Sequence, residues 1–145
     1  MITNEKQHRA TLVHLARFEK AIDNLERQPG AGGDRSRRAL ELGALRSQAA
    51  DLAAQVAEYE LLRSGRLTTF EAPSLAELAG ALVKARIARG WTQRQLADAL
   101  GVAEQQIQRY EATGYASASL ARLCAVAEAL GTHVREVVSL GPDAA

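Results

Sequence analysis

An all-α protein is the fold class that three features of this sequence predict. Alanine and leucine dominate its apolar content while aromatic residues make up only 4%, a balance that favours helix over sheet. Apolar residues in the N-terminal part recur at alternating spacings of three and four, the signature of a coiled-coil seam. Two short helical patterns joined by a glycine turn follow between Thr92 and Glu111. The expected layout is a coiled-coil-like antiparallel helical hairpin over 1–66, a linker over 67–74, a compact helical domain over 75–140 and a loose tail over 141–145.

From Thr3 to Arg27, the residues His8, Thr11, Leu15, Phe18, Ile22 and Leu25 form the seam of a first helix. Pro29, Gly30, Gly32 and Gly33 break it, and Asp34 or Ser36 can cap the next. The second helix continues the alternation with Arg38, Leu42, Leu45, Ala49, Leu52, Val56, Tyr59 and Arg63. Two helices alone bury little. Leu12, Ala21, Leu40, Ala44, Leu61 and Leu62 widen the apolar face beyond a two-helix seam, so the hairpin is expected to pack on a second copy or another protein. Leu15, Phe18, Ile22, Leu25, Leu45, Leu52, Val56 and Tyr59 are the residues expected to carry that association.

Ser64 and Gly65 end the hairpin, and Pro73 disfavours helix at Ala72. Between them Arg66 to Phe70 could be a short extended segment. Ser74 with Glu77 forms a capping box for a helix running to about Arg89, with Leu75, Leu78, Leu82 and Ile87 for the core. Thr92 with Gln95 is a second capping box; Leu96, Ala97 and Leu100 share one face of the helix it opens, and Gly101 stands where a helix C-terminus wants positive φ. Beyond the turn, Val102, Ile107 and Tyr110 supply an apolar stripe, and Glu104, Gln105, Gln106, Gln108 and Arg109 a polar face with few charges. Such a face suits base edges better than phosphates.

The Gly90 to Val102 stretch, GWTQRQLADALGV, with Ile107, Tyr110 and Glu111 after it, resembles the lambda-repressor/Cro, or Xre, helix-turn-helix family. The resemblance covers Leu75 to about Leu140 and implies a five-helix domain whose third helix enters the DNA major groove. It also implies a buried ion pair between Arg86 and Glu111. Two departures stand out. Ala103 replaces the usual Ser or Thr cap of the third helix, and Glu104 stands where the family often has Gln.

After Glu111 the segment ATGYAS is a loop, and Ser117 or Ser119 can cap a fourth helix ending at Gly131, with Leu120, Leu123, Cys124, Ala127 and Leu130 inward. Thr132 is expected to start a last helix whose Val134, Val137 and Val138 close the core.

Charge and composition bound the function. Eighteen Lys and Arg against 17 Asp and Glu give a net charge of +1, so attraction to nucleic acid must come from a local cluster. Lys84, Arg86, Arg89, Arg94 and Arg109, against Asp98 and Glu104, make that cluster. The single cysteine, Cys124, forms no intramolecular disulfide and no zinc framework. No secretory leader is expected, and no apolar run is long enough to span a bilayer, so the cytoplasm is the expected compartment. His8, His14 and His133 are dispersed, no serine lies in a nucleophile elbow and no phosphate loop occurs. No enzyme, cofactor or metal site is expected.

The partner expected is double-stranded DNA. Thr92, Gln93 and Arg94 at the start of the second domain helix should meet a phosphate, with Gln108 and Tyr115 adding sugar or phosphate contacts. Gln105 is placed to read adenine and Arg109 guanine, with Gln106 at the flank of the same face. Glu104 either accepts from cytosine or orients Gln93 or Arg109. The expected protein is a dimeric transcriptional regulator, a repressor in the first instance. An antitoxin whose hairpin neutralises a protein toxin is the alternative.

Overall fold

The computed structural model describes residues 1–28 and 34–141; the break at Pro29 to Gly33 and the last four tail residues lie outside them. Six helices and no strand occur among the described residues: α1 (Glu5–Arg27), α2 (Asp34–Arg63), α3 (Leu75–Ala88), α4 (Gln93–Leu100), α5 (Glu104–Ala112) and α6 (Leu120–Ala129). Arg66 to Phe70 is irregular, and the ring of Phe70 packs against the core.

Asn4 caps α1, its side chain accepting from the Gln7 amide, and α1 and α2 lie against each other along the seam. Polar groups fasten both ends. Near the open end Arg63 pairs with Glu5, and His8 Nε2 lies 3.1 Å from Glu60; toward the closed end Arg46 pairs with Glu26, and Arg38 donates to the carbonyl of Leu25. Thr11, Leu15, Phe18, Ile22, Leu25, Leu42, Leu45 and Leu52 are only half-buried, because each has one neighbouring helix and no third layer over it.

At its open end the hairpin joins the rest of the molecule. Val56, Tyr59 and Leu62 of α2 are 7%, 5% and 1% exposed and belong to one continuous core with Ala79, Leu82, Val83 and Ile87 of α3, Leu96 and Ala97 of α4, Ile107 of α5, and Val126 and Leu130. Val56 and Tyr59, expected at an intermolecular surface, are therefore interior residues of one chain, and so is Leu62. The periodicity that placed them on the seam was right; α3 and the N-terminal segment cover that stretch of it. Ile2, before the first helix, is 2% exposed in the same core. Full burial of each such aliphatic side chain contributes roughly 1.5–3 kcal/mol.

Three further expectations are corrected. Ser74 precedes α3 but its hydroxyl donates to Glu77 Oε2 at 2.9 Å and bonds no helix amide, and Leu75 is left 64% exposed. On α6, Leu123, Val126, Ala127 and Leu130 face inward while Leu120 and Cys124 face out, a rotation of the expected face that Val126 sets by filling the core. Thr132 starts no helix. Gly131, at φ +61°, turns the chain, and the Thr132 hydroxyl donates back to the Ala127 carbonyl at 2.9 Å, finishing α6 rather than capping a successor. Residues 132–140 are irregular, with Val134, Val137 and Val138 exposed by 46%, 76% and 93%. The C-terminal domain therefore has four helices, α3 to α6, where five were expected.

Candidate nucleic-acid interface

The site is built on the α4–turn–α5 unit. Thr92 caps α4 with a complete capping box: its Oγ1 accepts from the Gln95 amide at 3.1 Å and its own amide donates to Gln95 Oε1 at 2.8 Å. Gly101 closes the helix at φ +65°, and the Val102 amide returns to the Ala97 carbonyl at 3.0 Å. A β-carbon is disfavoured in that left-handed conformation. Leu96 and Ile107, each 0% exposed, pin the two helices together from beneath. The crossing of α4 and α5 is thus fixed by a turn and a core contact, each independent of the outer surface.

On that outer surface Gln105, Gln108 and Arg109 are exposed and, with Ala112, line one shallow depression on α5. Glu104 and Gln106 are half-buried at its margin. Glu104 Oε1 accepts from Gln108 Nε2 at 3.4 Å, and Gln106 Oε1 accepts from Arg109 Nη2 at 3.0 Å. The contacts of Glu104 therefore reach neither Gln93 nor Arg109. Ala103, the residue before α5, offers its helix no side-chain cap.

Beneath the surface lies a buried polar network. Arg86 and Glu111 are 2% and 7% exposed. Arg86 Nε donates to Glu111 Oε1 at 2.6 Å and Nη2 to Oε2 at 2.7 Å, a two-bond fork. Two further guanidinium hydrogens go to the Trp91 carbonyl, from Nη1 at 2.7 Å, and to the Thr3 carbonyl, from Nη2 at 2.7 Å. Gln93 Nε2 donates to Glu111 Oε2 at 2.7 Å. A charge pair this deep is tolerated because every nitrogen of its guanidinium and both oxygens of its carboxylate have a hydrogen-bond partner.

That network withdraws residues expected at the DNA surface. Gln93 is 5% exposed, and its side chain, held between Glu111 and Asn4, is not free to meet a phosphate. Exposed Thr92 and Arg94 remain at the start of α4. Tyr115 is withdrawn too: at φ +59° after Gly114 at φ +58°, it turns inward to 3% exposure and stacks on Tyr110 with ring centroids 5.3 Å apart. Burial, and next the nearby Glu111 carboxylate, push its phenol well above the usual tyrosine range.

The basic cluster shrinks likewise. Lys84 pairs with Glu58 of α2 at 2.9 Å, Arg86 with Glu111, and Arg89 donates to the Leu130 carbonyl. Of the five cations in that cluster, Arg94 and Arg109 are left on the outer face. Sequence reasoning also missed Ile2, Thr3 and Asn4, which join the polar network and the core from the far end of the chain. An Asn ahead of an amphipathic run signals a cap, but no local signal announces a contact with α4.

Among the described residues no cluster of His, Cys, Asp and Glu could hold a metal ion, and no helix is long and apolar enough to cross a membrane. Comparison with curated proteins and with solved structures gives no match. A family model described as helix-turn-helix matches residues 82–137, from the middle of α3 past the end of α6. With the capped α4, the left-handed turn at Gly101 and the polar outer side of α5, that match identifies residues 82–137 as a helix-turn-helix domain of the lambda-repressor, or Xre, type, a family of DNA-binding transcription regulators.

Proposed function

We propose that the protein is a cytoplasmic, sequence-specific repressor that binds duplex DNA as a homodimer, with α5 in the major groove. The observation that carries this reading is the outer side of α5, where Gln105, Gln108 and Arg109 lie exposed together on a helix whose opposite side is locked by Ile107 and Glu111. Gln105 matches adenine and Arg109 guanine in the major groove, each pair supplying about 1–3 kcal/mol of discrimination. Arg94 and the free amides at the start of α4 position the unit on a phosphate. Repression follows by occupancy.

A single unit has few base contacts, so two copies are required on half-sites about 34 Å apart. The hairpin is suited to hold them. On α2 the outward positions Leu40, Gly43, Ser47, Ala50, Ala54, Ala57 and Leu61 are exposed and uncharged, whereas the outward face of α1 mixes Val13 and Ala16 with Arg9, Lys20, Asp23 and Arg27. Leucines near both ends of that α2 stripe and small residues between make it nearly symmetric about Ala50, as an isologous antiparallel contact requires.

The test is selection of bound sequences from random duplex DNA by the full chain. A two-fold symmetric motif is expected. Arg109→Ala should relax preference at one base position per half-site, and Arg94→Ala should weaken binding to every sequence and flatten its salt dependence. Equal losses for Arg109→Ala on operator and random DNA would remove its reading role. A chain that stays monomeric until the protein encoded beside it is added would favour the antitoxin reading over the homodimer.

A further inference from the structure

We propose that Asn4 is a positioning residue for DNA binding, so that the hairpin's N-terminal tip is a working part of the helix-turn-helix unit. The inference rests on the reading of α4 and α5 as the DNA-contacting pair. Its basis is a chain of hydrogen bonds from α1 to α5 through the first residue of α4. Asn4 Nδ2 donates to Gln93 Oε1 at 3.1 Å, and Gln93 Nε2 donates to Glu111 Oε2 at 2.7 Å.

Fixed partners set both amide orientations. Asn4 Oδ1 accepts from the Gln7 backbone amide at 2.9 Å, so the Nδ2 end of Asn4 must face Gln93. Glu111 offers Gln93 only acceptor oxygens, so the Oε1 end of Gln93 must face Asn4. Thr3 is tied in beside them: its amide and hydroxyl both donate to Gln7 Oε1, at 2.9 and 3.1 Å, which aims its carbonyl at Arg86 Nη2, 2.7 Å away. Gln93 opens α4 and stands between Thr92 and Arg94, the exposed groups expected on the phosphate. Holding the Gln93 side chain therefore holds the end of α4 that meets the backbone.

Asn4→Asp isolates this role. The Asp side chain keeps an oxygen to cap α1 but turns an acceptor toward Gln93 Oε1. Gln93 cannot reverse its amide without placing its own oxygen against Glu111, so α4 must shift. The expected result is binding weakened about tenfold, equally on operator and random DNA, because phosphate contacts position without reading sequence. As Arg94 leaves its phosphate, the slope of log affinity against log salt should fall by about one. Asn4→Ser, which also caps but is too short to reach Gln93 and adds no charge, should do the same to a lesser degree.

Val83→Ala provides the comparison, since it thins the core at α3 and lowers stability while leaving every hydrogen bond of the network in place. Measured where each variant is folded, it should bind with the wild-type slope. Asn4→Asp and Asn4→Ser with wild-type affinity and slope would overturn the positioning role while leaving the DNA reading intact, as would a loss that Val83→Ala reproduces. A wild-type chain that selects no DNA sequence refutes the DNA reading itself, and this inference with it.

Discussion

The two halves of this molecule use the same kind of helix to opposite ends. In the hairpin no residue of α1 is fully buried, and seam residues such as Leu15, Phe18 and Ile22 keep part of their surface in water. In the helix-turn-helix half, Leu96, Ile107, Val126 and Leu130 are all 0% exposed around a hydrogen-bonded charge pair. The difference is the number of layers. A pair of helices covers one stripe on each, and only a third and fourth element close the sides. The helix-turn-helix half is the one that has them, and the hairpin's flanks stay open.

The charge pair offers the sharpest way to break that contrast. Arg86→Met leaves Glu111 without its forked partner inside the core, with only Gln93 donating to it. The expected loss is about 3–5 kcal/mol, read as a lower midpoint in denaturant unfolding. Pairing it with Glu111→Leu should recover much of that loss, because no buried charge is then stranded. A small loss for the single variant would mean that water reaches the pair and that this half is less closed than its geometry indicates.

A second comparison weighs the layers directly. Ile107→Ala, in the closed core, should cost about 2–5 kcal/mol. Ile22→Ala, in the half-open seam, should cost distinctly less in the monomer, since less surface leaves water there. Matching losses in dilute solution would show that the seam is covered by something besides α2. If the Ile22→Ala loss grows with protein concentration, the cover is a second copy.

How much of this was legible in the sequence follows the same division. Local rules placed the elements: the Thr92 to Gln95 capping box, the glycine turn at Gly101 and the seams of α1 and α2 are each written within a few residues of where they act. Depth of burial was not legible, because it depends on what arrives from elsewhere. Val56 and Tyr59 have the same seam spacing as Leu45 and Leu52, yet only the first pair is met by α3 and is buried. Gln93 looked like a surface donor because nothing near it shows that Asn4 and Glu111 take its amide. Tyr115 followed a glycine in a loop, a context that suggested exposure, and its own positive φ turned it inward. Thr132 had the composition of a cap and spent its hydroxyl on the preceding helix.

The smallest expected effect concerns the two helices of the helix-turn-helix unit themselves. α4 begins with a complete capping box, whereas α5 begins at Ala103 with extended backbone, φ −71° and ψ 144°, and no side-chain cap. That backbone already has the shape a capping residue adopts. Ala103→Ser should therefore place a hydroxyl where the Gln105 or Gln106 amide can donate to it, adding about 1 kcal/mol of stability. Glu104 in the first turn already gives the uncapped end some compensation through its negative charge. The gain should accordingly fall toward the lower end in the wild type and rise when Glu104 is replaced by Gln. Thermal unfolding of the four combinations measures this, and a serine gain that ignores Glu104 would mean the two groups do not share the α5 terminus.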